Sequence, residues 1–180
     1  VAAMPAAVRI AQEVGGSIQL CLATAFTCPF EGPTDPRRVI GIAADASVVV
    51  DHVRSEQNSC DGFYIAPSAT FARATITDSI FAWNGCNGIS VESTPGADTN
   101  VGVQRSTMME NSISGFSAIG PGSGEITVVR NNFVNNVVAA VSIHSDLELL
   151  SVVVAQNSIA TEFGSTTGAH AGIRSDGSGA

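Results

Sequence analysis

The stretch DSIFAWNGCNGISV, Asp78 to Val91, sets an Asn four residues before a Gly and follows that Gly with an apolar alternation. RSEQNSCDGFYI, Arg54 to Ile65, carries the same Asn-x-Cys-x-Gly core, and TMMENSISGFSA, Thr107 to Ala118, repeats the Asn and Gly. Aligning Gly62, Gly88 and Gly115 places Asn58, Asn84 and Asn111 in one column. A further copy supplies Asn136, with Ala140 in the Gly place. The successive spacings are 26, 27 and 25 residues. A drifting period of that size marks coils of a solenoid with loops of variable length.

Each Asn is preceded by a period-two apolar run: Val48 and Val50, Ala74 and Ile76, Val101 and Val103, Ile126 and Val128. Each Gly or its substitute is followed by another: Phe63 and Ile65, Ile89 and Val91, Phe116 and Ala118, Val141 and Ile143. Alternation of this kind is a strand with one buried face. The fold expected is all-β: a right-handed parallel β-helix, a single-stranded β-solenoid of about five coils. Its handedness follows the preference of parallel crossovers. The Asn column is expected to stack at a corner, tolerating a left-handed backbone and extending a side-chain ladder. The Gly column is expected to supply positive φ.

One domain is expected over residues 1–180, with irregular first coils and a cap in 1–40, regular coils in 41–175 and a tail in 176–180. TCPFEGPTDPRR, Thr27 to Arg38, reads as a projecting loop. Of the charged residues, 16 are acidic and eight are Arg, with no Lys, giving a formal charge of -8. That balance opposes binding to nucleic acid or to an anionic membrane surface. Neither zinc spacing nor a redox Cys-x-x-Cys relates Cys21, Cys28, Cys60 and Cys86. Cys60 and Cys86 share a column with Ile113 and Val138, which points to buried, reduced thiols, with a disulfide as the alternative. The even Cys count and missing Lys favour an extracellular or periplasmic location.

The four repeats, VVVDHVRSEQNSCDGFYI onward, resemble the right-handed parallel β-helix coils of the pectate-lyase-like superfamily, especially its bacterial members of unassigned function, over about residues 40–175. That resemblance implies architecture, since the superfamily joins lyases, hydrolases, epimerases and modules without known chemistry. VVVDHV is similar to the Asp-His strand of pectate lyases, which would put Asp51 on the calcium side. The Arg-x-Pro-x-x-Arg segment of those lyases is absent, and no other Asp shares the Asp51 column. No metal and no cofactor are therefore expected.

Six places before the Asn column stand His52, Asp78, Arg105 and Arg130, the candidate ligand-binding residues. Arg offers a fork for a sugar carboxylate, and His or Asp can move a proton. The competing reading is a solvated polar face with charges paired between coils. Trp83 and Tyr64 are candidates for stacking on sugar rings, or for packing. The expectation is an exported module that binds a polysaccharide or protein along its side. Its alternatives are a lyase or glycoside hydrolase acting on acidic glycans, and a structural spacer. The last coil is expected to pair in a homodimer or to continue into a longer chain.

Overall fold

A computed structural model describes residues 27–28, 32–33, 46–66, 71–120, 122–145, 150–160 and 171–177. The chain divides into two compact units, Val1–Thr34 and Asp35–Ala180. In the first, β1 (Thr27–Cys28) pairs antiparallel with β2 (Gly32–Pro33), a short hairpin where a loop was expected. The expected N-terminal cap otherwise lies outside the described residues.

The second unit is a parallel β-solenoid of about four turns. Its coils run through β3 (Ala46–Asp51), β4 (Arg54–Glu56) and β5 (Phe63–Ile65); then β6 (Phe71–Thr77), β7 (Ile80–Ala82) and β8 (Ile89–Glu92). Next come β9 (Asp98–Gln104), β10 (Thr107–Met109) and β11 (Ser114–Ile119), followed by β12 (Ser123–Val129), β13 (Asn132–Val134) and β14 (Ala139–Ser145). β15 (Leu150–Ala155), β16 (Ser158–Ala160) and β17 (Ala171–Gly177) complete the stack. Like strands join into three five-stranded sheets: the long-strand sheet β3-β6-β9-β12-β15, the short-strand sheet β4-β7-β10-β13-β16, and the third sheet β5-β8-β11-β14-β17.

Register follows the apolar alternation. Val50, Ile76, Val103, Val128 and Val154 are successive partners in the long-strand sheet. Phe81, Met108 and Phe133 pair across the short-strand sheet, and Phe63, Ile89, Phe116 and Val141 across the third. These side chains meet inside the coil as one apolar core. A one-residue slip would turn every strand inside out, so the pattern fixes the stacking.

The described coils bend at two corners by the same device. His52, Asp78, Arg105, Arg130 and Gln156 have φ between 50° and 56° at the corner between the long-strand and short-strand sheets. Gln57, Trp83, Glu110 and Asn135 have φ between 51° and 57° at the next corner. The residue after each of these carries the ladder. At the second corner the backbone N–H of Asn58 donates to Asn84 Oδ1 (3.2 Å), that of Asn84 to Asn111 Oδ1 (3.1 Å) and that of Asn111 to Asn136 Oδ1 (3.2 Å). The side-chain amides of Asn58, Asn84 and Asn111 donate to the same oxygens at 2.8 to 2.9 Å. A second ladder, which sequence reading missed, occupies the first corner. Val53 N–H donates to Ser79 Oγ, Ser79 N–H to Ser106 Oγ, Ser106 N–H to Asn131 Oδ1 and Asn131 N–H to Asn157 Oδ1, at 2.8 to 3.1 Å.

Three expectations are corrected by this geometry. The left-handed residue is the one before each ladder Asn, not the Asn itself. Gly62, Gly88 and Gly115 have ordinary φ; their role is close approach. A Cβ on them would sit 2.7, 2.6 and 2.8 Å from the carbonyl oxygens of Gly88, Gly115 and Ala140 in the following coil. Ala140 breaks the glycine column, and its register partner in the coil beyond is Gly172. Third, Cys60 and Cys86 form a disulfide, with Cα atoms 4.4 Å apart. Their column does not face the core: both are half-buried, and Ile113 beside them is 41% exposed. Adjacent parallel strands bring such a pair within bridging range.

Asn84→Asp keeps the acceptor, deletes the amide donor and buries a charge against Asn111 Oδ1; we expect a loss of about 3 kcal/mol or more in urea unfolding. Reducing the Cys60–Cys86 bridge, or replacing both with Ser, should cost about 3 kcal/mol. Peptide mapping without reductant should recover the two cysteines as one linked fragment.

Candidate functional site

The four residues singled out by sequence occupy one corner, one per coil, and project from a left-handed backbone. Any side chain there is thrown outward by the bend, which explains why the column tolerates an imidazole, a carboxylate and two guanidiniums. The structure bonds two of them to each other and gives the other two partners outside the set. Arg105 grips Asp78 with a two-pronged fork, Nε to Oδ1 at 3.0 Å and Nη2 to Oδ2 at 2.7 Å. His52 Nδ1 lies 3.0 Å from Asp51 Oδ2. Arg130 turns the other way and donates from Nε to Gln156 Oε1 at 2.9 Å. The two arginines of adjacent coils thus turn to different partners, Arg105 to a carboxylate and Arg130 to an amide.

Asp51 was noted from its resemblance to a lyase strand, and it does sit beside the column. The Thr77 hydroxyl donates to Asp51 Oδ1 at 2.6 Å, and this bond, then the one from His52, holds the Asp51 carboxyl below the usual range. The Arg105 fork does the same for Asp78, and Asp78 in turn raises Arg105. Ligand atoms of Asp51, His52 and Asp78 lie within 4.8 Å of one another, close enough to share a cation. The oxygens are already engaged, however: both of Asp78 by Arg105, and those of Asp51 by Thr77 and His52. A divalent ion needs several free oxygen ligands, so this donor set does not fit one without expelling Arg105.

Both candidate aromatics are exposed and tied to a carboxylate of the next coil. Trp83 Nε1 donates to Glu110 Oε2 at 2.6 Å, and the Tyr64 hydroxyl donates to Glu92 Oε2. Trp83 occupies a left-handed corner position, so its exposure, like that of His52, is a product of the bend.

The feature that sequence reading missed lies on the outer face of the long-strand sheet. Alternation there turns Ser47, Arg73, Asn100, Glu125 and Ser151 outward as one registered column, with Val49, Thr75, Gly102, Thr127 and Val153 as the next. A shallow concavity of about 230 Å³ opens over Gly102, between Thr75 and Thr127 and beneath Arg73, Asn100 and Glu125. Arg73 rests on the Phe71 ring, 5.7 Å from its centroid. Asn100 Nδ2 donates to Asp98 Oδ2 at 3.0 Å, and the Thr127 hydroxyl donates to Glu125 Oε1 at 3.4 Å. The available signal was Gly102 itself, an isolated glycine inside a strand pattern.

The chain matches no protein-family model, no curated protein and no solved structure. The likeness to the pectate-lyase-like superfamily therefore rests on the repeat residues alone.

The corner makes stability depend on acidity. Asp51 and Asp78 have folded pKa values below their ordinary 3.8, so their contribution is present above that pH and is lost as pH falls through the lower folded values. Urea midpoints measured from pH 6 down to pH 2, steps of about one unit spanning the carboxylate range, should fall at the acid end. Asp78→Asn should flatten that fall.

Proposed function

We propose that the solenoid is a binding module without catalysis of its own, taking an extended polysaccharide along the outer face of the long-strand sheet. The observation that carries this reading is the registered outward column Ser47, Arg73, Asn100, Glu125 and Ser151 beside the concavity. It offers hydrogen-bonding groups at strand spacing, about 4.8 Å, along the solenoid axis. Hydroxyls of successive sugar units, donors and acceptors alike, suit a row of guanidinium, amide and carboxylate groups.

A neutral polymer fits better than an acidic one. A formal charge of -8 repels a polyanion, and the Arg105 fork expected to receive a sugar carboxylate is filled by Asp78. The same fork weighs against a lyase or hydrolase built on His52, Asp78 and Arg105, since Arg105 would first have to leave its partner. The Cys60–Cys86 bridge supports an extracellular or periplasmic place of work, where disulfides persist.

Affinity electrophoresis through gels containing neutral glucans, mannans, xylans or galactans, with polygalacturonate and alginate alongside, tests the proposal. Retardation by a neutral polymer, weakened about tenfold by Arg73→Ala or Glu125→Ala, is expected. Migration unaffected by every neutral polymer, or release of cleaved product, would overturn it.

A further inference from the structure

Most glycines in the described coils have a structural reason to be glycine. Gly62, Gly88 and Gly115 admit a carbonyl from the next coil, and Gly96, Gly120 and Gly124 adopt positive φ. Gly102 has neither reason. A Cβ built on it meets no atom within 4 Å, and its φ lies outside the left-handed region. It stands in the middle of β9, where glycine weakens a strand. Its partners across the sheet are Thr75 and Thr127, and the same outward column ends in Val49 and Val153. β-Branched residues fill every other place in that column, as strand geometry favours.

The absent side chain is what opens the concavity. Its floor is the peptide backbone at Gly102, its walls are Thr75 and Thr127, and Arg73, Asn100 and Glu125 stand along one rim. The volume, about 230 Å³, falls below the roughly 300–1,000 Å³ of pockets for drug-sized ligands. It is the size for one ring. Arg73 is exposed, and its cation–π contact with Phe71 restrains the guanidinium at the rim. Asn100 and Glu125 add an amide and a carboxylate, so one rim both donates and accepts. A single saturated ring bearing adjacent hydroxyls answers both the bare floor and the mixed rim.

We infer that Gly102 marks a subsite that seats a single pyranose ring of a neutral polysaccharide, its ring over the Gly102 backbone and its hydroxyls shared among Arg73, Asn100 and Glu125. This rests on the polysaccharide-binding reading above and gives it a position. The pocket belongs to β6, β9 and β12, three successive strands, so the polymer crosses the strands rather than following one.

The test is Gly102→Thr, which continues the column already present and needs no core atom to move, with Gly102→Ala as a smaller filling. Urea unfolding should give midpoints no lower than the parent, and affinity for the retarding neutral polymer should fall at least tenfold for Thr and less for Ala. In the parent protein, titration with methyl pyranosides should shift the Gly102 amide resonance. Retained affinity in Gly102→Thr, with the parent still bound, overturns the subsite and leaves the module standing. A parent that binds no neutral polymer overturns both. A lowered midpoint in both variants would make Gly102 structural and overturn the inference on its own.

Discussion

A left-handed residue at a corner frees the next backbone N–H from its own strand, and in a solenoid that N–H is buried. It has to find an acceptor, because an orphaned buried donor costs about 1–3 kcal/mol. The next coil supplies one as the Asn or Ser side chain at the same corner. Asn111 serves as the type: its Oδ1 receives both N–H groups of Asn84, and its own amide also reaches back to the Phe81 carbonyl at 3.1 Å. The neighbouring strands then have one permitted register. Core columns, the close glycine contacts and the outward rows all inherit that register.

The same constraint explains the charged corner. Left-handed backbone is uncommon outside glycine and costs about 1–3 kcal/mol, yet here it recurs in every coil because the ladder behind it makes the bend collective. The bend exposes whatever side chain stands there. His52, Asp78, Arg105 and Arg130 form a column by topology, and once in a column they take the partners at hand: Asp78 pairs by charge with Arg105, and Arg130 donates to the Gln156 amide. Alignment of reactive side chains in a repeat protein is therefore weak testimony to chemistry. A position that departs from its column without a packing reason, as Gly102 does, carries more.

Most of the architecture was legible because period-two apolar runs and the Asn column report directly on burial and stacking. What escaped had a physical cause in each case. The first-corner ladder mixes Ser79 and Ser106 with Asn131 and Asn157, so no single letter recurs to reveal it. The glycine column was legible by position but not by reason, because sequence cannot tell a positive φ from a close carbonyl. Cys60 and Cys86 were misread because Ile113 and Val138 implied an inward column, whereas that turn leaves large apolar side chains partly in solvent. The site was least legible, since a missing side chain matters only beside the threonines that flank it from other coils.

The corner geometry also bears on chemical ageing. Asn84-Gly85 and Asn87-Gly88 are the kind of sequence in which asparagine is lost, when the glycine nitrogen attacks the side-chain carbonyl and ammonia departs. In this fold both attacking nitrogens are occupied: Gly85 N–H donates to the Asn58 carbonyl and Gly88 N–H to that of Ser114, each at 2.9 Å. The Asn84 side chain is fully buried in the ladder, and that of Asn87 is held by Asp61. Ring closure would require both to turn away from those partners. The bonds that stack the coils thus also guard two labile steps, and deamidation at these positions becomes a record of how often the solenoid opens.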